Sequence, residues 1–132
     1  MAKYVYPAIF THEENGQYSV TFPDVEGCYT GGDDLADAIE MAEDALALML
    51  FHFEQEKHPI PASSDLADIA AEDGSFVSLI ACDTLGYQKR NNTKAVKKTL
   101  SIPEWMNEAA TAAGVNFSQV LQEALAEKLD LG

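Results

Sequence analysis

The segment that most constrains the fold of this 132-residue chain lies between residues 34 and 57. Leu35, Ile39, Ala42, Leu46, Met49 and Phe53 recur there at three- and four-residue intervals, while Asp37, Glu40, Glu43, Asp44 and Glu54 fall largely off that line. This is the period of an amphipathic helix, and burying six such side chains contributes on the order of 10 kcal/mol. Asp34 is placed to cap the first turn, with Asp37 at the third helical position, and the acids of that turn face the positive end of the helix dipole. The run "KHPIP" stops the helix near Lys57, because each Pro lacks an amide proton and restricts the residue before it.

Strands supply the surface that such a helix needs. Residues 3–10 and 17–22 alternate in polarity, and "HEENG" between them offers a hairpin turn with Gly16 free to take positive φ. A short third strand is expected around Cys28 and Tyr29. Residues 58–75 read as a loop with room for one helical turn. "SFVSLIAC", residues 75–82, then reads as a buried strand reached by a crossover from the long helix. "DTLGYQKRNNT" has the composition of a polar linker. A short strand over residues 94–102 and two helices divided at "AGVN" complete the chain. The expected organisation is an α+β domain over residues 1–83, a linker over 84–93 and a second domain over 94–132.

A hydrophobic content of 47% argues against disorder. The longest wholly apolar run, residues 45–51, is too short to cross a bilayer, and the N-terminus lacks the apolar core of a signal peptide. Cys28 and Cys82 have no ligand-type spacing and read as small buried hydrophobes, so the expected compartment is the cytoplasm. Charge divides the chain. Residues 1–88 hold two Lys and 17 acids, hence −15; residues 89–132 hold six basic and five acidic residues, hence +1, together the −14 of the whole. Five basic residues and no acid lie between Lys89 and Lys98.

The stretch "VTFPDVEGCYTGGDDLADA", residues 20–38, admits three readings. It lacks the Lys-Ser/Thr of a phosphate loop and the three spaced glycines of a dinucleotide fingerprint. Asp24, Glu26, Asp33 and Asp34 could gather round a divalent cation, but their spacing is not that of an EF-hand. The preferred reading is structural: Pro23 fixes a turn, Gly27 and the Gly31–Gly32 pair supply unusual dihedrals, and the acids cap the helix. His12, His52 and His58 have no nucleophile placed beside them by the sequence. No catalytic residue, metal or cofactor is therefore expected.

The C-terminal segment is more specific. Lys97, Thr99 and Ser101 alternate with Leu100 and Ile102, so one strand face is polar and the other mainly apolar. Pro103 suits the first position of a helix that buries Trp105, Met106, Ala109, Ala110 and Ala113 and ends at Gly114. Asn116 caps a second helix, with Gln119 at its third position. A lone terminal strand needs a partner, and the simplest is the same strand of a second chain. The resulting two-stranded ribbon on four helices fits a major groove. Lys94, Lys97, Thr99 and Ser101 are the expected DNA contacts, with the backbone amides of Asn116, Phe117 and Ser118 holding phosphates.

Residues 94–132, with "TLSIP", a Gly turn and an Asn-capped second helix, resemble the ribbon-helix-helix repressors. Residues 3–82 resemble the HicB-type antitoxin domain through "YPAIF", "GQYSVTFPDVEGCYTGGDDLADAIEMAEDAL" and "IPAS". The resemblance implies a partial RNase H-like N-terminal fold of three antiparallel strands, a helix and a further strand. It also implies a partner, the small RNA-cleaving HicA toxin, and autoregulation at operator DNA by a homodimer or by paired dimers. The first strand, "KYVYPAIF", carries no carboxylate, which departs from a catalytic RNase H site and favours a scaffold. Pro23, Asp24, Glu26 and Gly27 are the expected toxin contacts, and the −15 of the N-terminal half complements a basic RNA-binding partner. A free-standing ribbon-helix-helix regulator with a ligand-sensing N-terminal domain, and an RNase H-like hydrolase, are the competing readings.

Overall fold

The computed structural model describes residues 3–131. It divides into two compact units, Met1–Lys94 and Ala95–Gly132.

In the first unit, β1 (Lys3–His12), β2 (Tyr18–Thr21), β3 (Tyr29–Gly32) and β4 (Ser75–Asp83) form one antiparallel sheet in the order β3-β2-β1-β4. The β1–β2 hairpin closes through the Glu13 amide on the Gln17 carbonyl, with Gly16 at φ +87°. Helix α1 (Leu35–Glu56) covers one face of the sheet. Tyr6, Ala8 and Phe10 from β1, Val20 from β2 and Ile80 and Cys82 from β4 point at it, as the two-residue period of strands requires. The core is completed by Phe22, Val25 and Cys28 from the β2–β3 connection.

The helix lies rotated from the expected stripe. Ala38, Ala42, Leu46, Ala47 and Leu50 are its buried residues, whereas Leu35 and Ile39 are exposed and Met49 and Phe53 only partly covered. Small alanines let the helix sit close to the sheet, and that choice of face leaves larger side chains outside. Its start and stop match expectation: Asp34 accepts from the Asp37 amide at 2.8 Å. Asp37 reaches back to the Asp33 amide at 2.9 Å, one residue earlier than a standard capping box. The helix ends at Lys57 in the left-handed region, φ 56°.

Two further expectations are corrected in this unit. β4 is an edge strand antiparallel to β1, with Phe76 and Leu79 exposed, and not a strand buried on both faces. The connection of residues 57–74 includes a 3-10 turn at Leu66–Asp68 and returns the chain to the free side of β1. Residues 84–91 of the expected linker form helix α2 (Thr84–Asn91), capped by Asp83, which accepts from the Leu85 amide at 3.0 Å. Thr84 is fully buried and donates to Glu54 Oε2 at 3.1 Å, and the Tyr87 ring meets Phe51 at a centroid distance of 5.7 Å.

In the second unit, α3 (Glu104–Ala112) and α4 (Phe117–Lys128) are joined at Gly114, φ +72°, with the Val115 amide on the Ala110 carbonyl. This is the expected glycine stop. Pro103 lies one residue before the first helical position, and its carbonyl accepts from the amides of Met106 and Asn107. Asn116 caps α4 by accepting from the Gln119 amide at 3.1 Å, as expected. Residues 92–103 form neither helix nor strand in the single chain.

Candidate protein and nucleic-acid interfaces

The corner between β2 and α1 is held by its own backbone. The Phe22 amide donates to the Cys28 carbonyl, Val25 to Phe22 and Cys28 to Val25, with Gly27 at φ +81°. Gly27 thus supplies the unusual dihedral expected of it. Gly31 and Gly32 do not; they permit close approach. A Cβ on Gly32 would lie 2.3 Å from the Ala38 amide nitrogen, and one on Gly31 2.9 Å from the Tyr18 carbonyl oxygen.

The acids of the corner separate in role. Asp24 accepts from the Ser64 amide at 2.7 Å and the Ser64 hydroxyl at 2.6 Å, so it tethers the long β4 connection. Asp33 accepts from Gln17 Nε2 at 3.1 Å, and Asp34 and Asp37 serve the helix start. Glu26 is exposed and Pro23 lies in the turn before it. Among the described residues no group of three or more His, Cys, Asp or Glu side chains could hold a metal ion.

The histidines also have structural surroundings. His12 stacks on Tyr18 at 4.6 Å, His58 on Phe53 at 4.4 Å, and His52 Nε2 meets Glu56 Oε1 at 3.1 Å in solvent. Cys28 and Cys82 are free and buried, and burial pushes both thiols up to about 11. Neither is a nucleophile at neutral pH.

What the sequence reading missed lies beside this corner. Gly27, Cys28 and Tyr29 form one wall of a groove whose other wall is Ala45, Leu48, Met49 and His52 of α1, with a cavity volume of about 380 Å³. Met41, Ala45, Leu48 and His52 continue one line at helical spacing, a second apolar stripe that the first one masked. Tyr29 is 73% exposed and Leu48 51%.

In the tail, Lys94, Lys97, Thr99 and Ser101 are all exposed, as are Asn116, Phe117 and Ser118. Neither α3 nor α4 buries a single residue. Trp105 is 68% exposed, and Val96, Leu100, Ile102, Val120, Leu125 and Leu129 are all exposed. Leu100, Ile102, Phe117, Val120 and Leu121 line an open apolar groove of about 480 Å³. No helix among the described residues is long and apolar enough to cross a membrane.

The chain thus joins an acidic sheet-and-helix unit to a segment whose two helices bury no residue. The family model for the HicB-like antitoxins of bacterial toxin–antitoxin systems matches residues 6–126, and the chain belongs to that family. It is an antitoxin and not an enzyme. It is 30% identical over 94 residues to Antitoxin HicB 2 of Photorhabdus laumondii subsp. laumondii, covering 70% of this chain and 67% of that one. Among solved structures it resembles a toxin–antitoxin complex from Streptococcus pneumoniae, with 27% identity, a TM-score of 0.62 and coverage of 96% of this chain and 99% of that one. It also resembles a chain of the HicA3 and HicB3 toxin–antitoxin complex, with 25% identity, a TM-score of 0.51 and coverage of 61% and 99%.

Proposed function

We propose that this antitoxin neutralises a HicA-type RNA-cleaving toxin by direct binding through its N-terminal unit. The C-terminal unit represses its own operon as a ribbon-helix-helix dimer on promoter DNA. Support for the first half comes from the charge of −15 over residues 1–88 and from relatives solved in toxin–antitoxin complexes. The observation that carries the second half is the tail itself. Two helices that bury nothing and a polar–apolar segment without a ladder require a second chain to cover them. Pairing residues 94–102 of two chains would place Lys97, Thr99 and Ser101 of both on one polar ribbon face. The helix start at Asn116, Phe117 and Ser118 presents amides suited to phosphate, and Lys94 adds charge.

Of the expected toxin contacts, Pro23, Glu26 and Gly27 remain available at the corner, whereas Asp24 is engaged by Ser64. The partial RNase H-like topology belongs to the same proposal, with β4 as the strand added beside β1.

Co-expression tests the division of labour. Helix α2 packs on α1, so the N-terminal fragment to produce is residues 1–94 and not 1–83. It should bind the toxin, stop RNA cleavage and leave promoter DNA unbound. Continued cleavage with the fragment folded and soluble would mean that the tail takes part in neutralisation.

A further inference from the structure

Helix α1 carries apolar side chains on two sides. One side faces the sheet. On the other, Met41 and Leu48, with Tyr29 of β3 beside Leu48, stand in solvent at 41%, 51% and 73% exposure, and Leu48 and Tyr29 face each other across the groove that Gly27 and Met49 also line. We propose that this groove is the seat of the toxin and that it takes an apolar side chain of the toxin flanked by Lys or Arg. The inference rests on the toxin-binding reading and gives it a location.

The occupant follows from charge. Between Tyr4 and Glu56 the sequence contains twelve acids and neither Lys nor Arg. Asp37 and Asp44 each lie one turn before Met41 and Leu48, so the stripe is bordered by carboxylates on its solvent side. Glu26 precedes Gly27 at the other wall and is exposed, and Glu56 closes the end beside His52. A second copy of this unit would bring the same uncompensated acids against these. An apolar centre with an acidic rim instead fits a partner whose contact surface is apolar with a basic border, and a toxin that binds RNA must carry basic surface of that kind. Central apolar anchors should dominate the affinity, and the rim should govern association rate.

The comparison variant is available in the same unit. Leu79, on β4, is 52% exposed, matching Leu48, but lies on the sheet edge away from the groove. Full-length Leu48→Glu, Tyr29→Ala and Leu79→Glu chains would be titrated with the HicA-type toxin of the same operon by calorimetry, with circular dichroism as the folding check. Leu48→Glu and Tyr29→Ala should each weaken binding at least tenfold while Leu79→Glu stays within about twofold of the parent. Raising the salt should weaken the binding that the parent and the Leu79→Glu chain retain. Parental affinity in both groove variants would overturn the groove, as would loss confined to Leu79→Glu. Loss of self-association in Leu48→Glu with toxin affinity unchanged would assign the groove to a second copy. An unaltered chain that binds no toxin would remove the neutralisation reading itself.

Discussion

The hydroxyl of Tyr4, at the start of the first strand, donates to Oε2 of Glu54, in the last turn of α1, at 2.8 Å. The same oxygen accepts from Thr84, the first residue of α2, at 3.1 Å. One carboxylate therefore joins the sheet, the long helix and the short helix that follows β4. Burial alone would raise the Glu54 carboxyl, but the hydrogen bonds it accepts, those from Tyr4 and Thr84 among them, hold it below its ordinary value. Tyr4, desolvated and facing that carboxylate, is pushed up from 10.0 to about 12.

Stability should follow from those two directions. The Glu54 contribution is present above the ordinary carboxylate pKa and is lost as pH falls through the lowered value. The Tyr4 contribution is present below pH 10.0 and is lost as pH rises toward about 12. Tyr4→Phe should cost about 1 kcal/mol near neutral pH and raise the Glu54 pKa. Denaturant melts across pH, with carboxyl chemical shifts, measure both. A Glu54 titration unchanged in Tyr4→Phe would show that the hydroxyl does not govern it.

Gly32→Ala should be far more damaging than Gly16→Ala. The added methyl at Gly32 meets the backbone of the first turn of α1, which cannot swing aside as a flexible side chain could, and the loss should exceed about 3 kcal/mol. At Gly16 the methyl meets nothing within 4 Å, and only the positive φ is unfavourable, at about 1 kcal/mol. Thermal melts of the two variants would order them; equal losses would contradict the close approach.

Ser64→Ala removes a hydroxyl bond to Asp24 while the amide bond remains. The expected loss is about 1 kcal/mol, with faster amide exchange concentrated in the segment between α1 and β4. Exchange that rises equally over the whole first unit would indicate a global effect and not a local tether.

Dimerisation and DNA reading make separable expectations for the tail. Sedimentation of the full chain at micromolar concentration should show no monomer. Thr99→Ala or Ser101→Ala should relax base preference by about 1–3 kcal/mol at the contacted pair. Lys94→Ala should weaken all sequences alike and flatten the salt dependence. Operator preference retained in Thr99→Ala would place the wrong face of the ribbon against the groove.

Much of the first unit was legible because its signals are local. Gly16 in the hairpin, Asp34 at the helix start and the prolines after Lys57 act through neighbouring residues, and each appears where the sequence put it. The same holds for Gly114 and Asn116 in the tail. What escaped depends on how elements meet. Leu35 and Ile39 keep perfect helical spacing with the core, yet the sheet is reached through Ala38, Ala42 and Leu46. An α1 apolar on two sides gives a periodicity reading two equal answers. "SFVSLIAC" has the composition of a central strand but pairs at an edge. Gly31 and Gly32 show the same limit: the sequence marks them as special, and only the approach of Ala38 tells why.

On the proposal that the tail completes its fold on another copy, the two proposed activities would answer differently to abundance. Seating one toxin on one N-terminal unit depends on the first power of chain concentration, whereas assembling a two-chain DNA reader depends on its square. As the protein accumulates from a low level, toxin capture would fill first and promoter occupancy would follow. The order of events after each round of synthesis would thus be set by mass action, with α3 and α4 as the parts that count chains.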